Sequence, residues 1–530
     1  MERSLFLARE IKNRLPQCKV ILGGPEITPD NPFLLQRRGF DAGAVGEGEG
    51  VWRRLLQSFP GLEDIPGLIL PDRQGWHFTP HGIAQSPLSH ENSPYLRGAL
   101  DSHLQGVLWV ETVRGCVYRC SYCYYHKQSS RLRTFPLERV LREVKRAWEE
   151  GLEEIVFLDP CFIRRPRMED LLDGIGAINH DRRLKFHAES TVEGMDAALA
   201  AKMAKAGFVK IEAGLQSVNR KTLRRIHRSF RPRQFLEGCR RLQEHGIEVM
   251  VDLIAGLPGD TLSDICSSMD WVVEQEAYDY LMLYPLSLMP STEIRQRAGE
   301  LGLVSMPRPP YLLTGGPGLT AEEMRQAFLY YEKCMKEEVS PLEIPLALCP
   351  DSKVFKHIHG LIHSVDWHTP EQVKVLEQVG RQTTYALTLR MSKEVLERES
   401  LWVQILKRYV ERNPFSLISI EVPSDICPEE VGPLWQLARE RQHPADRDYT
   451  VTHTPYRSFF LFSREKGLTW KWPDPRESFR LELADGQKVG CRPVCLVMSS
   501  EEEIPPWFID HLGKRYPVPP EIRLWQSPGD

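Results

Sequence analysis

From Val107 onward, strand-like and helical runs alternate at a regular spacing, and that alternation restricts this stretch to a parallel α/β architecture. Strand-like runs occur at Val107 to Val113, Glu154 to Asp159, Leu184 to Glu189, Phe208 to Ala213, Ile247 to Ile254 and Tyr278 to Leu286. Helical patterns lie between them at Leu137 to Glu150, Pro166 to Asn179, Met195 to Ala206, Arg231 to His245 and Thr261 to Gln275. Parallel neighbours need crossovers of roughly a dozen residues or more, and the helical runs supply them. Six such repeats fit three quarters of the eightfold barrel; an open doubly wound sheet accounts for the same periodicity.

At 530 residues the chain exceeds one ordinary core, so two or three domains are expected. Residues 1–59 read as a helix (Ser4 to Leu15), a strand (Lys19 to Leu22) running into Gly23-Gly24-Pro25, a helix after Asn31, and a second strand ending in Val45-Gly46-Glu47-Gly48-Glu49. Two strands cannot make a stable sheet with both faces covered. They require either preceding strands or packing onto the next domain. Residues 60–104, rich in Pro, Gly and His, read as a linker, and 105–307 as the barrel. Residues 308–530 read as an α+β domain, with helices at Thr320 to Glu338, Glu371 to Val379 and Ser392 to Glu411 and strand-like runs at Ser416 to Val422, Arg457 to Phe462 and Phe479 to Leu483.

A net charge of -4 offers no overall basic field for a phosphate backbone, which argues against nucleic acid as a partner. No uncharged run reaches membrane-spanning length, and charge interrupts the apolar start too early for a signal peptide. A cytoplasmic protein is expected, with its 12 cysteines serving as thiols and metal ligands rather than disulfides.

Three of those cysteines stand close together in Arg114-Gly115-Cys116-Val117-Tyr118-Arg119-Cys120-Ser121-Tyr122-Cys123. Three thiolates leave a closed four-ligand zinc site incomplete unless His126 joins them, so a Cys3His site is the alternative. A cubane iron-sulfur cluster normally takes four thiolates; with three, one iron keeps a vacant position for another ligand. Cys161 reads as a small buried thiol, and Cys491 and Cys495 lack the companions a second cluster needs.

The C-x3-C-x2-C spacing after a first barrel strand, preceded by Arg-Gly and carrying an aromatic residue before the third Cys, resembles the radical S-adenosylmethionine (SAM) superfamily. The resemblance implies a 4Fe-4S cluster on Cys116, Cys120 and Cys123, with SAM chelating the open iron. Reductive cleavage would then yield a 5'-deoxyadenosyl radical. It further implies a SAM site on successive strand ends, with Tyr122 beside the adenine, Asp159 near the amino group, and Glu189, Glu212, Gly214, Gln216 and Ser217 facing the ligand. Gly256, in Asp252-Leu253-Ile254-Ala255-Gly256-Leu257-Pro258-Gly259, resembles the turn that packs the adenine.

Ile21-Leu22-Gly23-Gly24-Pro25-Glu26 with Gly46-Glu47-Gly48-Glu49 is similar to the subgroup carrying an N-terminal cobalamin-binding Rossmann-like domain, of which only the last strands are present. The implied cobalamin side is Gly23, Gly24, Gly46 and Glu47. The implied reaction is methyl transfer to an unactivated carbon of a small-molecule or peptide substrate, with a flavodoxin or ferredoxin as electron donor. Without cobalamin, the radical would drive an oxidation, cyclisation or rearrangement. A third enzyme reading is thio-insertion into transfer RNA. A non-catalytic iron-sulfur or zinc scaffold is the reading from another class. No catalytic side chain is named by the motifs.

Overall fold

The structure, a computed structural model, describes residues 1–72, 75–79, 87–101, 106–125 and 131–335, then 362–369, Gln372, 386–412, 417–422, 459–463, 479–482 and 488–491. It divides into two compact units, Met1–Tyr331 and Glu332–Asp530.

In the first unit, β1 (Ile21–Leu22) and β2 (Ala42–Ala44) pair in parallel, Ile21 facing Ala42. The sheet continues into residues expected to be a linker: β3 (Leu68–Asp72) runs antiparallel to β2 and turns into β4 (Gly75–Phe78). This hairpin corrects the linker reading; it supplies the strands that β1 and β2 alone lacked. Leu5 and Ala8 of α1 (Glu2–Arg14) and Phe33 and Leu34 of α2 (Pro32–Leu35) cover one face, while Val51 and Leu55 of α3 (Gly48–Ser58) cover the other. Tyr311, fully buried, joins the first face from beyond the expected barrel. Its hydroxyl donates to Glu26 Oε2 at 2.7 Å and accepts from Asn31 Nδ2 at 3.0 Å. The small sheet therefore packs onto the rest of the unit.

The main sheet takes β5 (Val107–Val110), then, after β6 (Val113–Arg114) and β7 (Arg133–Thr134), β8 (Glu154–Phe157), β9 (Lys185–Ser190), β10 (Phe208–Gln216), β11 (Glu248–Ala255) and β12 (Tyr280–Pro285). All six pair in parallel, in the order β12-β11-β10-β9-β8-β5. A doubly wound sheet reverses its strand order at a switch point. This order never reverses, so the open-sheet alternative is set aside in favour of a (β/α)6 partial barrel.

Helices α4 (Leu137–Glu149), α5 (Met168–Ile178), α6 (Ala197–Ala206), α8 (Pro232–Glu244) and α9 (Leu262–Gln275) make the crossovers; α7 (Arg220–Arg225) is an extra turn after β10. Thr261 caps α9 through a reciprocal bond set with Asp264, whereas Asp260 turns inward to Thr222 and Asn219. The unit runs past the expected boundary at 307: β13 (Val304–Ser305) pairs with β14 (Leu313–Gly315), and α10 (Glu293–Gln296), α11 (Ala298–Leu301) and most of α12 (Ala321–Met335) belong to it.

In the second unit, strands Ile362–Trp367, Ala386–Met391, Leu417–Val422 and Phe459–Ser463 pair in parallel in chain order, and Phe479–Glu482 pairs antiparallel with Lys488–Cys491. A parallel ladder brings α/β character to a region expected to segregate helices from strands. The expected helix at 371–379, apart from Gln372, lies outside the described residues, as do His126 and Cys495. Among the described residues no helix is long and apolar enough to cross a membrane.

Candidate active site

The cysteines sit on a loop closed at its neck by the β6–β7 ladder, in which Val113 faces Thr134 and Arg114 faces Arg133. All three are free thiols, Cys120 buried and the others half-buried. Cys123 N donates to Cys120 O at 3.0 Å and Tyr118 N to Cys116 Sγ at 3.5 Å. Ser121 N donates to Ile226 O at 3.1 Å, and Ile294 N to Ser121 O at 3.0 Å, tying the loop to segments after β10 and β12. Burial pushes the Cys123 thiol up to about 11, helped by the charges of Cys120, Cys116 and Glu189. Cys116 is raised for the same reasons, burial first, then Cys161, Cys120 and Glu189. Thiolates that raise one another's pKa are neighbours whose repulsion a bound cationic metal relieves. Among the described residues no three His, Cys, Asp or Glu side chains converge on a single-ion site. A cubane does not require that convergence, because each thiolate binds a different iron.

Arg114 and Arg133, directly opposite across the neck, would repel. Glu47 lies between them: Arg114 Nη1 donates to Glu47 Oε2 at 3.1 Å and Arg133 Nη2 bonds the other oxygen. Glu49 takes Arg114 Nη2 at 2.7 Å, and Glu111 takes Nε at 3.0 Å. Glu47, expected on a cobalamin side, is thus committed to the neck of the cysteine loop. The neighbouring glycines are open: a Cβ at Gly23, Gly24 or Gly46 would meet nothing within 4 Å. Gly24 and Gly46 have φ of +108° and +80°, which glycine adopts without strain.

Within the barrel, residues facing the helices are buried, such as Leu108, Ile155, Phe186, Ile211 and Val251, while most of their alternates are not. Trp109 is 53 % exposed, Leu158 42 % and Tyr284 40 %. A complete barrel fills its interior with side chains; this partial one leaves a lined cleft. On its inner face Glu189 lies opposite Glu212, and Asp252 opposite Gly214. Burial, then the Glu212 charge, pushes Glu189 up to about 7, with Arg228 pulling the other way. Burial, then a hydrogen bond to Glu212 and the charges of Glu212 and Glu189, hold Asp252 far above the usual carboxylate range, against the pull of Arg228. The backbone bulges between Gly214 and Gln216, and Gln216 takes a φ of +74°, folding its amide over Gly214 where a Cβ would clash with it. Gln216 Oε1 and Asp252 Oδ1 are buried without partners among the described residues. Arg228 joins this cleft to the cysteine loop, donating to the Gly214 carbonyl and, at 3.8 Å, to Cys120 Sγ. Burial pushes the Tyr122 phenol up; its charged neighbours Arg228, Cys120 and Cys123 place it at the same junction.

Three residues expected to contact the ligand have other neighbours in the structure. Asp159, fully buried, accepts from Thr112 N at 2.7 Å, Val113 N at 3.1 Å and the Thr112 hydroxyl. Its carboxylate braces the strand leading into the cysteine loop and is spent there; burial still pushes it up to about 6. Ser217 is 1 % exposed and accepts from Asn219 N at 3.1 Å, beneath the cleft wall. Gly256 makes room for packing, since a Cβ there would lie 2.6 Å from both Leu313 Cδ2 and Met324 Cε. Cys161 is buried, with Ser190 and Thr191 hydroxyls at 3.7 and 3.5 Å. Arg228 and Asp252 were missed as site residues; only their places beside Gly214 distinguish them.

A family model described as the Radical SAM superfamily matches residues 110–272, which contain the cysteine loop and barrel strands β8 to β11, together with the last residue of β5. This segment of the chain is similar to the radical SAM superfamily. Among curated relatives, the cobalamin-dependent radical SAM methyltransferase TokK of Streptomyces tokunonensis is 27% identical, over 58% of this chain and 49% of that protein. The 2-(S-pantetheinyl)-carbapenam-3-carboxylate methyltransferase of Streptantibioticus cattleyicolor is 26% identical over the same shares, 58% and 49%. The chain thus spans about half the length of these relatives. Its fold is similar to that of the radical SAM methyltransferase TsrM from Kitasatospora setae, solved with tryptophan and a SAM analogue, with a TM-score of 0.52 and 19% identity over 64% of this chain and 75% of that one.

Radical SAM proteins work with a 4Fe-4S cluster and SAM. The residues present fit both: three free thiols for the cluster, and in the cleft Gln216 Oε1 and Asp252 Oδ1, buried and unpartnered among the described residues, for a polar ligand.

Proposed function

We propose that this protein is a cobalamin-dependent radical SAM methyltransferase. Cys116, Cys120 and Cys123 hold the 4Fe-4S cluster, and Glu189, Glu212, Gly214, Gln216, Arg228 and Asp252 line the SAM site, with Tyr122 at its edge. When bound, the cluster would supply the electron that cleaves SAM, and cobalamin would supply the methyl group to a substrate carbon activated by hydrogen abstraction. The observation carrying this reading is the pair of buried, unpartnered oxygens on Gln216 and Asp252, joined to the cysteine loop through Arg228. Leaving such groups unsatisfied costs roughly 1–3 kcal/mol each, which a bound ligand's hydroxyl or amino donors offset.

Cobalamin is favoured by the open glycine turns at the ends of β1 and β2, where a parallel sheet meets its ligand, and by the similarity to the cobalamin-dependent methyltransferase TokK. Glu47 and Glu49 put those turns next to the cysteine loop. The half-exposed Trp109, Leu158 and Tyr284 suit a small, partly apolar substrate, reduction comes from an electron-carrier protein, and the reaction runs in the cytoplasm. Anaerobic incubation with reductant, cobalamin and methyl-labelled SAM tests the reading: 5'-deoxyadenosine and S-adenosylhomocysteine should both form, and methylcobalamin should carry the label. Deoxyadenosine without any labelled methylcobalamin would leave a radical SAM enzyme that is not this methyltransferase.

A further inference from the structure

The segment after β10 carries a charge pattern that SAM binding does not use. Between Ala213 and Leu236 stand seven Lys or Arg residues and no Asp or Glu, in a chain of net charge -4. Arg220, Lys221, Arg224, Arg225, Arg231 and Arg233 are exposed, on α7 and the turn into α8. Some surface arginines elsewhere are paired, Arg297 with Glu293 and Glu300, Arg167 with Asp170. Of these six, only Arg233 has a carboxylate partner among the described residues, Glu237. Arg220 and Arg224, and likewise Lys221 and Arg225, stand four apart on one short helix, where like charges cost stability. Arg225 donates to the Pro258 carbonyl and Arg231 to Gln234, whereas Arg220, Lys221 and Arg224 hold no side-chain partner among the described residues.

A charge run alone is usually a solvated face, and what singles this one out is its position. The Ile226 carbonyl, at the end of α7, accepts from Ser121 N between Cys120 and Cys123, and Arg228 reaches Cys120 Sγ. Arg119, exposed on the cysteine loop itself, adds to the same field. A basic surface one hydrogen bond from the cluster loop offers a negatively charged redox protein a short path to the metal.

We infer that this strip is the docking surface for an acidic electron-carrier protein of the flavodoxin type. The inference rests on the cluster assignment above. One electron leaves the donor's reduced flavin and enters the cluster; no bond on the strip forms or breaks. Electrostatic complementarity of this kind raises the encounter rate and fixes orientation, which suits the small, transient interfaces of redox partners.

The test titrates a bacterial flavodoxin onto the full-length protein and onto the triple variant Arg220→Glu, Lys221→Glu, Arg224→Glu, reading affinity by surface plasmon resonance at low and high salt. None of the three residues belongs to the SAM or cluster machinery. The wild type should bind, more weakly as salt rises, and the charge-reversed variant should lose roughly tenfold or more in affinity. The neutral variant Arg220→Gln, Lys221→Gln, Arg224→Gln should fall between them, and it decides the matter should charge reversal disturb folding, as read by a melting curve. Dithionite, which needs no docking, should drive deoxyadenosine formation equally in all three. Unchanged flavodoxin affinity in the variants, or no binding by the wild type, overturns the inference. So does strip-dependent binding of transfer RNA in place of flavodoxin. Absence of deoxyadenosine with dithionite counts against the cluster assignment instead, because docking is read by binding.

Discussion

Arg228 donates to Cys120 Sγ at 3.8 Å while another nitrogen of the same guanidinium bonds the Gly214 carbonyl. One side chain thus fixes the spacing between the cysteine loop and the bulge of β10. A lysine keeps the charge but cannot fork to both acceptors. Arg228→Lys should therefore weaken SAM binding by roughly tenfold and change the electron paramagnetic resonance of the reduced cluster. An unaltered spectrum and affinity would reduce Arg228 to a surface counter-charge.

Gln216 and Ser217 are neighbours in sequence and should separate in function. Gln216 Oε1 has no partner among the described residues, so Gln216→Ala should lower SAM affinity by roughly tenfold while leaving the melting temperature near wild type. Ser217 is buried and bonded to Asn219, so Ser217→Ala should lower the melting temperature and leave SAM affinity in place. Isothermal titration with SAM and a melting curve on each variant check both; the reverse pattern would mean that the bulge presents Ser217, and not Gln216, to the ligand.

Glu47 separates two arginines that face each other across the neck of the cysteine loop. Glu47→Gln should destabilise the protein by about 1–3 kcal/mol and speed loss of the cluster on chelation. Adding Arg133→Met removes the like-charge contact and should restore much of the retention. Iron release measured with a chelator in both variants tests this; no rescue by the second substitution would assign Glu47 a role outside the neck.

The cleft carboxylates predict a pH dependence. Burial raises Glu189 from 4.5 to about 7 in the folded protein, so its stabilising contribution is whole below about 4.5 and is lost as pH rises through about 7. Glu189→Gln stays neutral at every pH. The melting temperature of the SAM-free variant should therefore match wild type near pH 5 and exceed it increasingly toward pH 8, whereas a constant difference would contradict the buried, carboxylate-flanked setting.

The barrel was legible because its strands and crossovers repeat at a spacing few architectures share. The hairpin at Leu68–Asp72 and Gly75–Phe78 was not: its short strands, one interrupted by Pro71, lie in a Pro- and Gly-rich stretch with too little periodicity to register. Site residues followed the same division. Cys116, Cys120 and Cys123 announce themselves by local spacing, and Gly214 and Gln216 by a short string. The bonds of Asp159 were not legible, because its partners, Thr112 and Val113, are 47 and 46 residues away. Arg228 lies in a run of arginines from which nothing in the sequence separates it, and only the fold brings it to Cys120.

The most direct test of the account is deoxyadenosine formation by the anaerobically reconstituted protein with SAM and dithionite, compared with its Cys120→Ala variant. The account predicts a 4Fe-4S spectrum and 5'-deoxyadenosine from the wild type, and neither from the variant. A wild-type protein that carries the full cluster yet leaves SAM uncleaved, or a variant that still cleaves it, would contradict the account.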